Sequence, residues 1–471
     1  MTQLDYSQTL HYLAALSPLG IQPGRVRLAE VLRRLGAPES QVPAVHIAGT
    51  NGKGSTSAFA ATIAQAAARH AEASYGRPFA IGLYTSPHLQ RLTERIHLSQ
   101  SGQLAECPKA RLAHAIREVR DAAESAPAVA LTFFEVLTAA ALLLFAQHHV
   151  DLAIVETGLG GRLDATRLCA AQATVVTSIG LDHMDWLGPT LSHIASEKAG
   201  IFRELVPALC ACFDDTARSV LWQHAHKLQA PLWLYPFRDE PDARPLPLLD
   251  EDLAQGLPLQ GQHQRINAAL AIAALSHVSG PLRPFLTNPK VIREGLGQTR
   301  WPGRIERITP TAKHYQDYAD REIVIDAAHN PEGAAALASW LSSIEQRPLT
   351  ALCGVVTGKL TTGMDQPLQN ANWVVLCRPP TPRGLPAADL AQHLGFSVGE
   401  PIEDWHAALL TALRHTPPGG RLLVYGSIFL IGAVRAALLD EPTDELLVQD
   451  PGRSSTMPPV APQPPEPTAR R

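Results

Sequence analysis

A chain of 471 residues exceeds one ordinary core and calls for two or three domains. With 45% hydrophobic and 18% charged residues it is globular in composition, and a net charge of −4 argues against a basic nucleic-acid-binding surface as its main business. No apolar run reaches the roughly 20 residues of a membrane span, the start MTQLDYSQTL shows no secretory pattern, and Cys107, Cys169, Cys210, Cys212, Cys353 and Cys377 form no CxxC pair or metal-finger spacing; a soluble, cytoplasmic protein with neither nucleic-acid nor membrane partner is expected.

Along the chain, short β-rich runs alternate with longer Ala- and Leu-rich runs. Residues 45–48, 80–84, 152–156, 174–178 and 208–213 read as buried strands, while 57–68, 111–123, 134–147 and 191–199 carry helical composition. Such alternation predicts a mostly parallel sheet with helices on both faces. A second series follows, with strands at 323–326, 350–353, 373–377 and 421–425 and helical runs at 333–344 and 405–415. Pro302 and Gly303 mark the junction between the two series. The expected organisation is a larger α/β domain over 1–298 and a smaller Rossmann-like α/β domain over 299–440. The Pro-rich tail over 441–471 lacks the apolar side chains to offset its ordering entropy and is expected to be disordered.

The most informative stretch is VHIAGTNGKGST (45–56). A β-run enters a glycine-rich turn and an Ala-rich helix leaves it. Such a turn lets successive N–H groups face an anion, helped by the positive end of the helix dipole. Lys53 adds a point charge for outer phosphates, and a Ser/Thr hydroxyl can touch a metal ion. The strict G-x-x-x-x-G-K-[ST] pattern is not met, because Ile47 stands where the first Gly belongs and Gly54 follows the lysine. The strand–turn–helix context still favours a nucleotide loop over a bland glycine-rich turn, so the first domain is expected to be a P-loop-type ATPase unit. Ser86, Glu156 and His183 end strands or begin turns on the probable carboxyl edge of its sheet. A hydroxyl, a carboxylate and an imidazole can complete octahedral Mg²⁺ sites; equally, Ser86 before Pro87 can be a turn residue, Glu156 an exposed strand end, and His183 a hydrogen-bonded surface residue.

The string GTNGKGST (49–56) is followed by YTSPHL (84–89), TFFE (132–135), ETGLGGRLDAT (156–166), LDHMDWLG (181–188) and EKAGIFR (197–203), then by HQRINAALA (263–271), PGRIE (302–306) and DAAHNPEGA (326–334). In this order they resemble the folylpolyglutamate synthase/dihydrofolate synthase family, relatives of the Mur peptide ligases, over nearly everything except the tail. The resemblance implies an ATP- and Mg²⁺-dependent ligase that adds L-glutamate to dihydropteroate, to a reduced folate, or to both. Transfer of the γ-phosphoryl group to the carboxylate makes it an electrophilic acyl phosphate, and the crowded negative charge calls for metal ions and basic side chains. By the same resemblance Thr50, Asn51, Gly52 and Lys53 hold the ATP phosphates, and Asn267, Arg304 and Asp326 complete the nucleotide site. Ser86, Glu156 and His183 take the metal role. Arg27, Thr132, Phe133, Phe134, Glu135, Leu163, Asp164 and Ala165 meet the pterin. Lys53, His183 and Lys198 are the implied catalytic residues. Lys198 reads on its face as a solvated helix-end cation, and the resemblance implies a lysine carbamylated by carbon dioxide.

The loop CGVVTGKLTTG (353–363) lacks the acidic-Lys-acidic run common at that place in the family, although Arg383 in PTPRG (380–384) still matches. Residues 70–78 look longer than their helix-to-strand connection needs. A Mur-type ligase acting on a nucleotide-linked peptide is the nearest rival, but only 48 residues precede Gly49, too few for a preceding nucleotide-binding domain. A non-catalytic nucleotide-binding regulator is disfavoured by the joint presence of Lys53, Ser86, Glu156, His183 and Asp326. The expected protein is a monomer with small-molecule substrates.

Overall fold

Val45 and Ile47 turn to one side of their strand while Ala44 turns to the other, and all are buried, as a period-two strand covered on both faces requires. In the computed structural model, which describes residues 5–16, 22, 25–394 and 401–444, this strand, β1 (Pro43–Ala48), sits inside a nine-stranded sheet. The other strands are β2 (Ile81–Tyr84), β3 (Ile96–Gln100), β4 (Gln103–Glu106), β5 (Leu152–Glu156), β6 (Ala170–Val176), β7 (Ala208–Ala211), β8 (Leu232–Tyr235) and β9 (Ala243–Pro245). Their order is β4-β3-β2-β5-β1-β6-β7-β8-β9, parallel except where β3 pairs antiparallel with β2 and β4. Helices Lys53–Tyr75, Gln262–Ser276 and Pro289–Gln298 cover one face, and Lys109–Glu124 and Phe133–Gln147 the other.

The second domain holds β10 (Glu306–Ile308), β11 (Glu322–Ile325), β12 (Leu349–Cys353), β13 (Trp373–Cys377), β14 (Pro401–Ile402) and β15 (Arg421–Tyr425) in the order β10-β11-β15-β12-β13-β14. Only β10 runs antiparallel to its neighbour. Helices Pro331–Ser343 and Ala387–Leu394 lie on one face, Trp405–His415 and Ile428–Leu439 on the other.

Three expectations need correcting. The helix expected over 57–68 runs from Lys53 to Tyr75 and ends on Gly76 at φ 70°, so most of the seemingly overlong 70–78 connection is helix. The strand expected at 174–178 is β6, ending at Val176; Thr177 and Ser178 follow it, their backbones still bonded to Ala48 and Thr50 and their hydroxyls donating to the Asn51 carbonyl. Of the tail expected to be disordered, 445–471 lies outside the described residues, but 441–444 folds back onto the first domain. The buried Asp444 carboxylate accepts the Tyr6 O–H at 2.8 Å and the Leu92 N–H at 2.7 Å.

The alanine-rich helix Lys53–Tyr75 admits its neighbours at close range. A Cβ on Gly295 would lie 2.4 Å from the Cα of Ile63, whereas one on Gly297 in the same helix would meet nothing within 4 Å. Gly295→Ala therefore forces two backbones apart at a cost of about 1–3 kcal/mol, while Gly297→Ala gains up to about 1 kcal/mol of helix propensity. Chemical denaturation of the two variants checks this: the Gly295 variant should unfold at lower denaturant than the parent, and the Gly297 variant should not.

Candidate active site

The carboxyl ends of β1, β2, β5 and β6 open onto a cavity of about 1690 Å³ that the second domain closes from the far side. After β1 the chain turns through Gly49 at φ 152° and Gly52 at φ 86°. A Cβ would fall 1.9 Å from Thr177 Oγ1 at the first and 2.5 Å from Asn267 Oδ1 at the second, so only glycine fits either. The helix starting at Lys53 points its N-terminal end into this turn. Thr50 is pinned by its N–H to the Ser178 carbonyl at 2.9 Å and by its hydroxyl, which accepts the Gly180 N–H at 3.0 Å. Lys53 Nζ donates to the Gly49 carbonyl at 3.1 Å and the Thr50 carbonyl at 3.3 Å. Lys198 Nζ donates to that same Gly49 carbonyl at 2.8 Å. Lys198 is thus no solvated cation: it is 5% exposed, and burial, with Lys53 beside it, pushes its ammonium down to about 7.

Glu156 ends β5, buried, and accepts the Ser86 N–H at 3.2 Å. Burial pushes its carboxyl up to about 7 against the attraction of Lys53 and Arg304. A buried carboxylate so sparsely bonded, beside the Ser86 hydroxyl, is a donor set suited to a hard divalent cation. His183 also lines the cavity, on left-handed backbone at φ 52° immediately before the short helix Met184–Leu187. Its Nε2 stands 3.3 Å from Lys359 Nζ. Among the described residues no three His, Cys, Asp or Glu side chains gather tightly enough to form a metal cluster of themselves.

On the β2–β5 side, Phe134 stacks with Tyr84 at 6.1 Å between ring centroids and lies over Gly158, where a Cβ would meet it at 2.5 Å. Phe133 is fully buried core beneath the Arg95 guanidinium and lines nothing. Thr132 and Glu135 line the cavity, yet their polar atoms form a capping box: Glu135 Oε2 accepts the Thr132 N–H at 2.8 Å, and Thr132 Oγ1 accepts the Glu135 N–H. Arg27 lies behind this box, donating to Glu135 at 3.0 Å, while Arg25, Val26 and Ala29 reach the cavity instead. Leu163 and Ala165 line it. Asp164 turns its carboxylate into its own loop, accepting the N–H groups of Gly158, Leu159 and Thr166 at 3.0, 2.9 and 2.9 Å.

At the domain junction, Arg304, Asp326 and Asn267 face the same cavity with His263. Asp326 accepts the Ile305 N–H at 2.9 Å and the Ala328 N–H at 2.8 Å; the cap of the following helix is Asn330, not Asp326. Sequence reasoning passed over Lys359, Asp182, His329, Glu332 and Ser427, all of which line the cavity. Lys359 forms a close ion pair with Asp182 across the domain boundary, even though the acidic neighbours sought beside it are Gly358 and Leu360.

The Mur ligase middle domain matches residues 47–275 and the Mur ligase glutamate ligase domain matches residues 303–428. A folylpolyglutamate synthase of Lacticaseibacillus casei is 32% identical over 453 residues, covering 93% of this chain and 99% of that one. The dihydrofolate synthase/folylpolyglutamate synthase of Escherichia coli is 33% identical over 443 residues, covering 90% and 93%. Among solved structures, Escherichia coli FolC in complex with DHPP and ADP superposes with a TM-score of 0.75 at 30% identity, over 92% of this chain and 98% of that one. A Yersinia pestis bifunctional folylpolyglutamate synthase/dihydrofolate synthase complexed with AMPPNP and Mn ion gives a TM-score of 0.74 at 30% identity, over 93% and 99%. The chain belongs to the folylpolyglutamate synthase/dihydrofolate synthase family of Mur ligases.

For a Mur ligase of this family, a carboxyl held at about 7 carries a sign that can be tested. Glu156 holds its proton more tightly folded than unfolded, so stability falls as pH rises from its unfolded value near 4.5 through about 7. Glu156→Gln removes that loss, on the order of 3 kcal/mol above pH 7 when no metal or nucleotide is bound. Denaturation at pH 5 and pH 8 should show the variant gaining on the parent at the higher pH, while its metal-dependent nucleotide binding is lost. Equal pH dependence in the two proteins would contradict the burial argument.

Proposed function

We propose that this ATP-dependent amide-bond-forming ligase joins L-glutamate to a pterin carboxylate, that of dihydropteroate or of a reduced folate, through an acyl phosphate. The observation that carries this reading is a single cavity in which the phosphate loop, the buried Glu156 and the aromatic wall of Phe134 meet the second domain's Arg304, Asp326 and Arg383. The structures of relatives, with DHPP and ADP in one and AMPPNP and Mn ion in another, support a pterin and a metal–nucleotide pair in one site.

In this reading the N–H groups of 52–54, at the start of the helix, and the Lys53 ammonium hold the outer phosphates, Lys53 exchanging its loop carbonyls for phosphate oxygen. Asn267, Arg304 and Asp326 hold the nucleoside end. Ser86, Glu156 and His183 would hold Mg²⁺, which supplies charge neutralisation at the transferring phosphoryl group. Phe134, Leu163 and Ala165 give the pterin a flat apolar wall, and Thr132, Glu135, Asp164 and Arg27 keep that wall in place. Arg383 and Ser427, at the start of the helix Ile428–Leu439, offer a cation and an N-terminal helix end for glutamate carboxylates. A pterin carboxylate oxygen attacks the γ-phosphorus and ADP leaves; the glutamate amine then attacks the acyl carbon and inorganic phosphate departs with that oxygen.

Heavy-oxygen label in the pterin carboxylate should therefore appear in released phosphate. Phosphate should form only with ATP, a pterin carboxylate and glutamate all present, whether dihydropteroate or tetrahydrofolate is supplied. Unlabelled phosphate or an AMP product would overturn the acyl-phosphate route, and ATP turnover indifferent to any pterin would overturn the substrate assignment.

Lys198 deepens the mechanism. Its amine, held at about 7, is substantially neutral at physiological pH, and a neutral amine adds carbon dioxide to give a carbamate with loss of a proton. The anionic group would relieve the conflict of two lysines on one carbonyl oxygen and orient the Lys53 ammonium. Ligation should rise as pH increases through about 7, and added bicarbonate should lift the acid side of that profile. Lys198→Ala should lose ligation severely and recover part of it with short carboxylic acids. A variant with parental activity would remove the carbamate from the mechanism.

A further inference from the structure

Among the described residues, the second domain hydrogen-bonds the phosphate loop at the Asn51 side chain, and every polar atom of that residue is engaged. Asn51 donates its N–H to Ser178 Oγ at 2.9 Å, and its carbonyl accepts the hydroxyls of Thr177 at 2.5 Å and Ser178 at 3.1 Å. Its side-chain oxygen accepts from Asn330 Nδ2 at 2.9 Å, and its side-chain nitrogen donates to Glu332 Oε2 at 3.1 Å. Both ends of one amide on the phosphate loop are thus held by the first turn of the helix Pro331–Ser343 and its cap. The backbone N–H of Asn51 and one N–H of its side-chain amide are taken by these contacts.

Glu332 is the unexpected member. A carboxylate beside a loop built to hold polyphosphate repels the ligand unless something else requires it. It rests on Gly180, where even a Cβ would lie 1.9 Å from Oε1. The Gly180 N–H in turn binds the Thr50 hydroxyl at 3.0 Å, so the carboxylate sits against both strands of the loop's support. Asn330 extends the seam by donating to Asp182 at 3.3 Å, and Lys359 closes on the same Asp182.

We propose that Glu332 is a positioning residue: by holding the Asn51 amide together with Asn330, it sets the phosphate loop in its ATP-binding shape only when the second domain is closed. Closure of the glutamate-bearing domain and order in the ATP loop then become one event. The proposal rests on the ligase reading above, which the parent protein's own pterin- and glutamate-dependent ATP turnover establishes first.

The test compares Glu332→Gln, which keeps an oxygen to accept the Asn51 N–H, with Glu332→Ala, which does not. Loss of one such hydrogen bond corresponds to roughly a three- to tenfold effect. The Ala variant should lose that factor in kcat/KM for ATP and in AMPPNP binding, and should hydrolyse more ATP per amide bond made. Its thermal midpoint should stay near the parent's, and the Gln variant should stay within about twofold on all readouts. If Gln is as impaired as Ala, charge at Glu332 matters and the positioning role is wrong. If Ala changes only the thermal midpoint, the contact is structural filler and the proposal likewise falls.

Discussion

Two lysine side chains share one carbonyl oxygen at the centre of this site, and much of the surrounding structure follows from that crowding. Lys53 and Lys198 both donate to Gly49, a residue whose φ of 152° turns its carbonyl back beneath the loop. Two like charges at hydrogen-bond distance from one atom, with one of them buried, cannot both be retained cheaply. One consequence is that Lys198 tends to shed its proton. Carboxylates face these cations across the cavity, Asp182 and Glu332 among them, while the nearby Glu156 is itself held towards its neutral form.

The sheet order puts this chemistry where it is. β1 lies between β5 and β6, and β2 follows β5, so the phosphate loop after β1 has the Glu156 turn on one side and Thr177 and Ser178 on the other. Ser86, after β2, is one strand further out and meets Glu156 through its backbone. The aromatic wall proposed for the pterin belongs to that same flank, because the helix carrying Phe134 covers the β2–β5 face. The second domain must then supply what the opposite flank lacks, and its cations Lys359, Arg383 and Arg304 all face the cavity. Parallel strands order their carboxyl ends in a row, and ligands line up along that row.

Much of this was legible in the sequence, and what was not has identifiable physical causes. Strands such as 152–156 and 373–377 coincide with β5 and β13, because doubly covered strands are continuous apolar runs bounded by turn residues. The β3–β4 hairpin was missed: Ile96–Glu106 mixes polar and apolar residues as an edge does. Motif reading found which segments meet at the cavity but not which side chain within them faces it. Phe133 and Phe134 are equivalent by type, and only the helical phase sends one into the core and the other to Gly158. Arg27 was expected on the ligand and instead donates to Glu135 behind the cavity, while Asp164 lines the cavity with its carboxylate turned to backbone N–H groups, since a string of letters does not show where a side chain points. Asp182, Asn330 and Lys359 interact across separations of 148 and 177 residues, and no local pattern carries such a pairing.

The site costs the protein stability. Lys198 and Glu156 are buried with their protonation displaced toward the neutral forms, and His183 holds a left-handed backbone that a non-glycine residue adopts only under constraint. Each is a departure from the folded state's optimum, and all three line one cavity. Such concentration is what function requires: groups that bind a metal, a phosphate or carbon dioxide must be left under-satisfied until the ligand comes. Binding then returns the stored cost as affinity and as stability of the closed form. A ligase working through the proposed acyl phosphate gains directly from this arrangement, because the ligands that demand protection from water are the ones that complete the closed cavity.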